Sequence, residues 1–252
     1  MLRRTCALAI FALASFVLAT TDAGATAQRT FVASNGNDAN TAFSCSIVKP
    51  CRGFAAAIGV TAAGGEVIVL DSAGYGPVTI TKSVSIIAPP GVYAGVTVFS
   101  GNGITVNAPG ATVALRGLSI IGQGGTNGVD YGGVSSPGGA LLIDNCEIRG
   151  MSGVGIQVTN NSGFHRLSVL VKHSIVHDNA SAFKLVGDLC DVSDFCFIGL
   201  VLDDSTVINN TAGVDNSLRD NGQSVCSRLN NTFAFNALDV SPVGSLPACP
   251  AT

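Results

Sequence analysis

Apolar and polar positions alternate along most of this chain, and the alternation returns about every 28 residues. Segments 113–120, 141–148, 169–176 and 200–207 are four versions of one strand-turn-strand unit, with Leu118, Cys146, Ser174 and Ser205 at equivalent positions. An earlier copy runs from Lys82 to Ala88 and a later one from Asn231 to Phe235. Val, Ile and Thr dominate the alternating stretches while Gly, Asn and Asp fill the joints, which predicts short strands separated by sharp corners. No useful helical period follows about residue 63.

A unit this short buries its apolar face only by stacking on its neighbours, so the repeat predicts a solenoid. The expected fold is all-β: a right-handed parallel β-helix. Leucine-rich repeats share the approximate period but need a leucine consensus that this chain lacks. Stacking about 4.8 Å apart would align equivalent residues in columns. The inward columns should hold Val113, Leu115, Leu118, Ile120, Ile143, Cys146, Ile148, Val171, Val176, Leu202 and Val207. Asn179, Asn210 and Asn236 form another column, expected to take a left-handed turn and to bond amide to amide.

Residues 1–27 change the picture at the N-terminus. Arg3 and Arg4 precede an uncharged apolar run from Cys6 to Ala19 and small residues ending in Ala25-Thr-Ala27. This is the pattern of a secretory signal peptide with cleavage before Gln28, and the run is short for a membrane span. A secreted or periplasmic chain with no transmembrane anchor is expected. The full sequence carries 13 basic and 16 acidic residues; losing Arg3, Arg4 and Asp22 leaves 11 against 15, a net charge of −4. Charged residues make up only 12% of the chain, without the basic footprint that nucleic-acid binding requires.

Export permits disulfides, and spacing suggests two local pairs, Cys45 with Cys51 and Cys190 with Cys196; Cys226 and Cys249 would then fasten the tail to the last rung. Cys146 falls in an inward column and reads as a buried thiol.

Between the leader and the first repeat lie Thr30-Phe-Val-Ala-Ser-Asn-Gly-Asn37-Asp38-Ala-Asn40, Pro50-Cys51-Arg-Gly-Phe54-Ala-Ala-Ala57-Ile58, Ala63-Gly64-Gly65-Glu-Val67-Ile-Val69 and Gly74-Tyr75. This segment resembles the opening of exported, pectin-lyase-like right-handed β-helix proteins, in which a strand and a Gly-Asn-Asp loop precede an amphipathic capping helix. The residues agree, since Phe54, Ala57, Ile58 and Thr61 fall on one helical face. The resulting division is a signal peptide at 1–27, an N-terminal strand and short capping helix at 28–64, a parallel β-helix at 65–236 and a C-terminal tail at 237–252. Asn35, Asn37, Asp38 and Asn40 are expected to form turns.

The resemblance extends to a superfamily of pectate lyases, polygalacturonases and epimerases. Its lyases hold calcium on carboxylates and use Arg or Lys as base; its hydrolases pair aspartates. Asp203-Asp204 resembles the hydrolase pair, but the Gly-His-Gly and Arg-Ile-Lys segments expected downstream are missing. The columns themselves bring forward Asp144, Lys172 and Asp203, then His173 and Asp204 beside Asn145, then Arg149 with His177 and Glu147 nearby. Such a group holds acid, base and cations for a uronic acid, and equally describes a structural charge ladder. No cofactor is implied beyond calcium, for which Asp188, Asp191 and Asp194 are the candidate ligands.

Three readings stay open, the first two being a monomeric exported protein that contacts polysaccharide or the cell envelope without catalysis, and a divergent polysaccharide lyase or glycoside hydrolase acting on acidic polysaccharide. A structural spacer that binds no sugar is the third. The absence of Trp and the presence of only three Tyr disfavour a lectin built on aromatic stacking.

Overall fold

A computed structural model describes residues 26–133, 139–160, 166–187, 197–215, 223–228, 230–241 and 246–249. The expected cation ligands Asp188, Asp191 and Asp194, the Cys190–Cys196 pair and residues 1–25 of the leader lie outside the described residues.

The chain visits three parallel sheets in turn. Among the described residues, the eight strands of sheet one begin with Ala27–Val32 and Thr61–Val69 and end with Phe197–Asp203 and Gln223–Ser227. Sheet two has seven described strands, from Ala73–Gly74 to Thr232–Ala234, and sheet three has seven, from Val78–Ile80 to Leu238–Ser241. Each complete coil therefore contains three strands, where the repeat pattern showed two. The third escapes notice because an unbroken small-residue column, Gly103, Gly128, Gly155, Ala182 and Gly213, interrupts its apolar alternation.

Stacking converts the period of two into a continuous core. In sheet one, Val67, Ile86, Leu115, Ile143, Val171 and Leu202 pair strand by strand, and all are fully buried. Ile120, Ile148 and Val176 do the same in sheet two, and Ile104, Val129, Ile156 and Phe183 in sheet three. Burying one such side chain is worth about 1.5–3 kcal/mol, which offsets a backbone ordering cost of about 1–2 kcal/mol per residue only when neighbouring coils cover it. Every residue of the expected inward set is buried.

Two corners have fixed length. Between sheets one and two, Gly117, Asn145, His173 and Asp204 adopt positive φ at equivalent positions; between sheets two and three, Gly150, Asp178, Asn209 and Phe235 do so. The left-handed residue at the second corner is thus the one before the asparagine column, which corrects the expectation for Asn179, Asn210 and Asn236. Freed from the turn itself, those asparagines point inward and form the expected amide ladder, Asn179 Nδ2 to Asn210 Oδ1 at 3.1 Å and Asn210 Nδ2 to Asn236 Oδ1 at 3.0 Å.

At the N-terminal end, helix α1 (Phe54–Val60) buries Phe54, Ala57 and Ile58 and packs against the strands Ala27–Val32, Thr61–Val69 and Val78–Ile80. The preceding loop is tied by the Cys45–Cys51 disulfide. Asp38 Oδ1 accepts from the amides of Arg52 and Gly53 at 2.8 and 2.9 Å, and Asn37 accepts from the amide of Ala39. At the other end the Cys226–Cys249 disulfide and a parallel bridge between Ser227 and Ala248 hold the tail against sheet one. Cys146 is free and buried, and burial pushes its thiol up to about 11.

Candidate functional site

The corner between sheets one and two carries the residues singled out by the repeat. Parallel pairing places Asp144, Lys172 and Asp203 opposite one another on successive strands, and Arg149 opposite His177. Asn145, His173 and Asp204 occupy the left-handed corner positions one residue further on. A left-handed residue cannot continue the strand, so the corner turns His173 and Asp204 outward; their side chains are 52% and 65% exposed.

Contacts divide the eight residues into three sets. In the first, Asp144 takes Lys172 Nζ on one oxygen at 3.3 Å and His173 Nδ1 on the other at 3.0 Å. The remaining nitrogen of His173 lies 3.8 Å from Asp204. In the second, Glu147 Oε1 contacts Arg149 Nε at 3.2 Å and His177 Nε2 at 3.1 Å, while Oε2 accepts from Ser119 Oγ at 3.1 Å. His177 turns its other nitrogen to Asp178 at 2.7 Å. Asp203 stands apart from both: Asn230 Nδ2 donates to it at 2.9 Å and Arg228 Nε lies at 3.8 Å.

Ser119, Asp178, Arg228 and Asn230 complete these sets and were not singled out from the sequence. Ser119 lies in register with Glu147, 28 residues earlier, so the column rule reaches it. Asp178 follows His177 directly, but its role depends on the corner turning its side chain back. Arg228 and Asn230 fall in a coil whose repeat pattern is worn, and only the pairing of Phe197–Asp203 with Gln223–Ser227 brings them near.

The electrostatics have one sign throughout. Partial burial tends to raise the Asp144 carboxyl, but hydrogen bonds from His173 and Lys172, and their charges, outweigh it and hold the group below the usual carboxylate range. Burial likewise works against ionisation of Glu147, and His177, Ser119 and Arg149 overcome it. Both carboxyls are therefore held as anions. His177 directs both ring nitrogens to carboxylate oxygens within hydrogen-bond distance, whereas His173 bonds Asp144 through Nδ1 and leaves Nε2 3.8 Å from Asp204 on a side chain that is half exposed. Among the described residues, no group of three or more His, Cys, Asp or Glu side chains is arranged to hold a metal ion.

No family model matches the sequence, and the comparison with curated proteins gives no match. Among solved structures, the chain is similar to pectate lyase Pel9A, with a TM-score of 0.44 and 14% sequence identity over 88% of this chain and 82% of that one. The parallel β-solenoid stands on the strand pairing described above, and the activity in that protein's name is not carried over to these residues.

Proposed function

We propose that this protein is an exported β-helix that contacts polysaccharide or the cell envelope along the side of its coil and does not turn the ligand over. The supporting observation is that Asp144 and Glu147 are each held between ionic and hydrogen-bonding partners from neighbouring coils. General acid catalysis needs a carboxyl whose pKa is raised toward working pH, whereas Asp144 and Glu147 are shifted the other way. A row of alternating charges with exposed His173 and Asp204 and a partly buried Arg149 suits surface contact, in which carboxylates and hydroxyls of a polymer exchange for solvent.

Export rests on the leader pattern at 1–27 and on two disulfides, which persist in oxidising compartments. No helix among the described residues is long and apolar enough to cross a membrane. Helix α1 acts in this reading as a lid that shields the first coil edge from pairing with another chain, so that the protein remains monomeric. Asp188, Asp191 and Asp194 are the proposed calcium ligands.

The alternative is a divergent lyase or hydrolase, in which Lys172 or Arg149 holds the sugar acid, His173 or His177 is the base, and Asp203 and Asp204 supply further carboxylates. Incubation of the purified secreted chain with a panel of acidic polysaccharides separates the two. Retention on the polymer without new products, weakened by Lys172→Ala and Arg149→Ala, is expected. Ultraviolet-absorbing unsaturated products or new reducing ends establish the enzyme instead.

A further inference from the structure

The outer face of sheet three carries a second polar row, remote in the fold from the charged corner. Thr79, Thr105, Asp130, Gln157, Lys184 and Asp215 occupy successive strands in direct register. Beside its first members lies a depression of about 350 Å³ lined by Ala55, Pro77, Val78, Thr79, Asn102 and Thr105. Asn102 links the depression to the row, because its Nδ2 donates to Asp130 Oδ2 at 2.8 Å. Gln157 Nε2 donates to the other oxygen of Asp130 at 3.2 Å from the next strand.

Asp130 differs from the corner carboxylates in kind. Asp144 and Glu147 each meet cations; Asp130 meets two neutral amides and is half-buried on a sheet face. Burial raises its pKa, and the two amides only reduce that effect. A threonine or glutamine, as on the flanking strands, would fill this place without the cost of desolvating a charge. What the carboxylate adds is a strong acceptor fixed between two amides, each of which also carries an acceptor oxygen. Donors and acceptors then alternate across three strands.

The geometry points to this face as a binding site for a neutral, hydroxyl-rich saccharide chain lying along the coil across Thr105, Asp130 and Gln157. Vicinal sugar hydroxyls are both donors and acceptors, and a carboxylate flanked by amides satisfies them in pairs. An acidic sugar would be repelled by Asp130. A recurring contact about every 4.8 Å, the strand spacing, suits a polymer whose units are of similar length, and the exposed Pro77 offers an apolar edge to a ring. This rests on reading the chain as a polysaccharide-contacting protein, but it assigns a different face and an uncharged ligand.

The test is nuclear magnetic resonance titration of the isotope-labelled secreted chain with cellohexaose, xylohexaose and mannohexaose, and separately with hexagalacturonate. At least one neutral oligosaccharide should move the side-chain amide resonances of Asn102 and Gln157 while the imidazole ring resonances of His173 and His177 stay in place. Asp130→Ala should weaken that binding about tenfold, the loss of a hydrogen bond to a charged group, and Thr105→Ala provides an independent variant on the same face. Neutral oligosaccharides that leave both amides unmoved, or binding unchanged in both variants, overturn the inference. A response of His173 and His177 to hexagalacturonate with none to the neutral sugars overturns it while the proposed function stands. Silence toward all four probes overturns both.

Discussion

Asn179 and Asn210 are 31 residues apart in sequence, and their side chains are hydrogen-bonded at 3.1 Å inside the second corner. The same Asn210 oxygen accepts the backbone amide of Asn179 at 3.0 Å, and the Asn210 amide donates to the carbonyls of Val176 and Ile208. One side chain thus satisfies the polar backbone of two coils where no water reaches. Replacing Asn210 by Ala should destabilise the fold by about 2–4 kcal/mol in urea unfolding, because buried partners lose their bonds at about 1–3 kcal/mol each. Asn236→Ala, at the exposed end of the ladder, should cost less.

Acid should weaken the corner. The folded-state pKa values of Asp144 and Glu147 are depressed, so their contribution is complete above the unfolded carboxylate range, near pH 4 to 5, and is lost as pH falls through the lower folded values. Urea midpoints measured from pH 7 to pH 3 should fall along an acid limb. Lys172→Ala combined with His173→Ala should make that limb shallower by removing the partners that depress Asp144.

Asp130 has the opposite sign. Its folded pKa is raised, so ionising it costs stability as pH rises above the unfolded value and costs nothing once both states are protonated. Asp130→Asn should raise the thermal midpoint at pH 7, and the gain should shrink toward pH 3. A midpoint that drops at pH 7 would show that the carboxylate holds the sheet together.

The disulfide between Cys226 and Cys249 spans 23 residues of sequence. Loop-closure entropy for a ring of that size corresponds to about 3 kcal/mol, so Cys249→Ser should lower the unfolding free energy by about that amount. In the native chain Cys146 should resist iodoacetamide at pH 8, since its thiol is buried and pushed up to about 11, and should be alkylated once urea opens the coil. Peptide mass mapping reads both outcomes.

A methyl group added at Gly128 would sit 2.6 Å from the Gly155 carbonyl oxygen and 2.6 Å from Ile148 Cγ2. Neither backbone nor a core side chain yields easily, so Gly128→Ala should destabilise by about 1–3 kcal/mol, seen as a lower thermal midpoint. Gly64→Ala is a useful comparison, since strain from its positive φ acts there without crowding.

The architecture is legible in the chain's own periodicity. A period of two within strands and about 28 between them allows one economical solution, stacked parallel coils, and it named the buried columns, the asparagine ladder, the lone Cys146 and the two disulfides seen at Cys45–Cys51 and Cys226–Cys249. It also brought Asp144 to Lys172 and Arg149 to His177, because a column follows directly from the period. What those neighbours do to one another is set by the stacked coils. Whether a carboxylate next to a histidine is a free acid or an ion-paired anion depends on where a left-handed corner aims His173 and on partners such as Ser119, Asp178 and Arg228. The third sheet was hidden for a related reason: its glycine column is chosen for the close approach of Ile120, Ile148 and Val176, which no local pattern records. Asp130 therefore met Asn102 and Gln157 only once the coils were stacked.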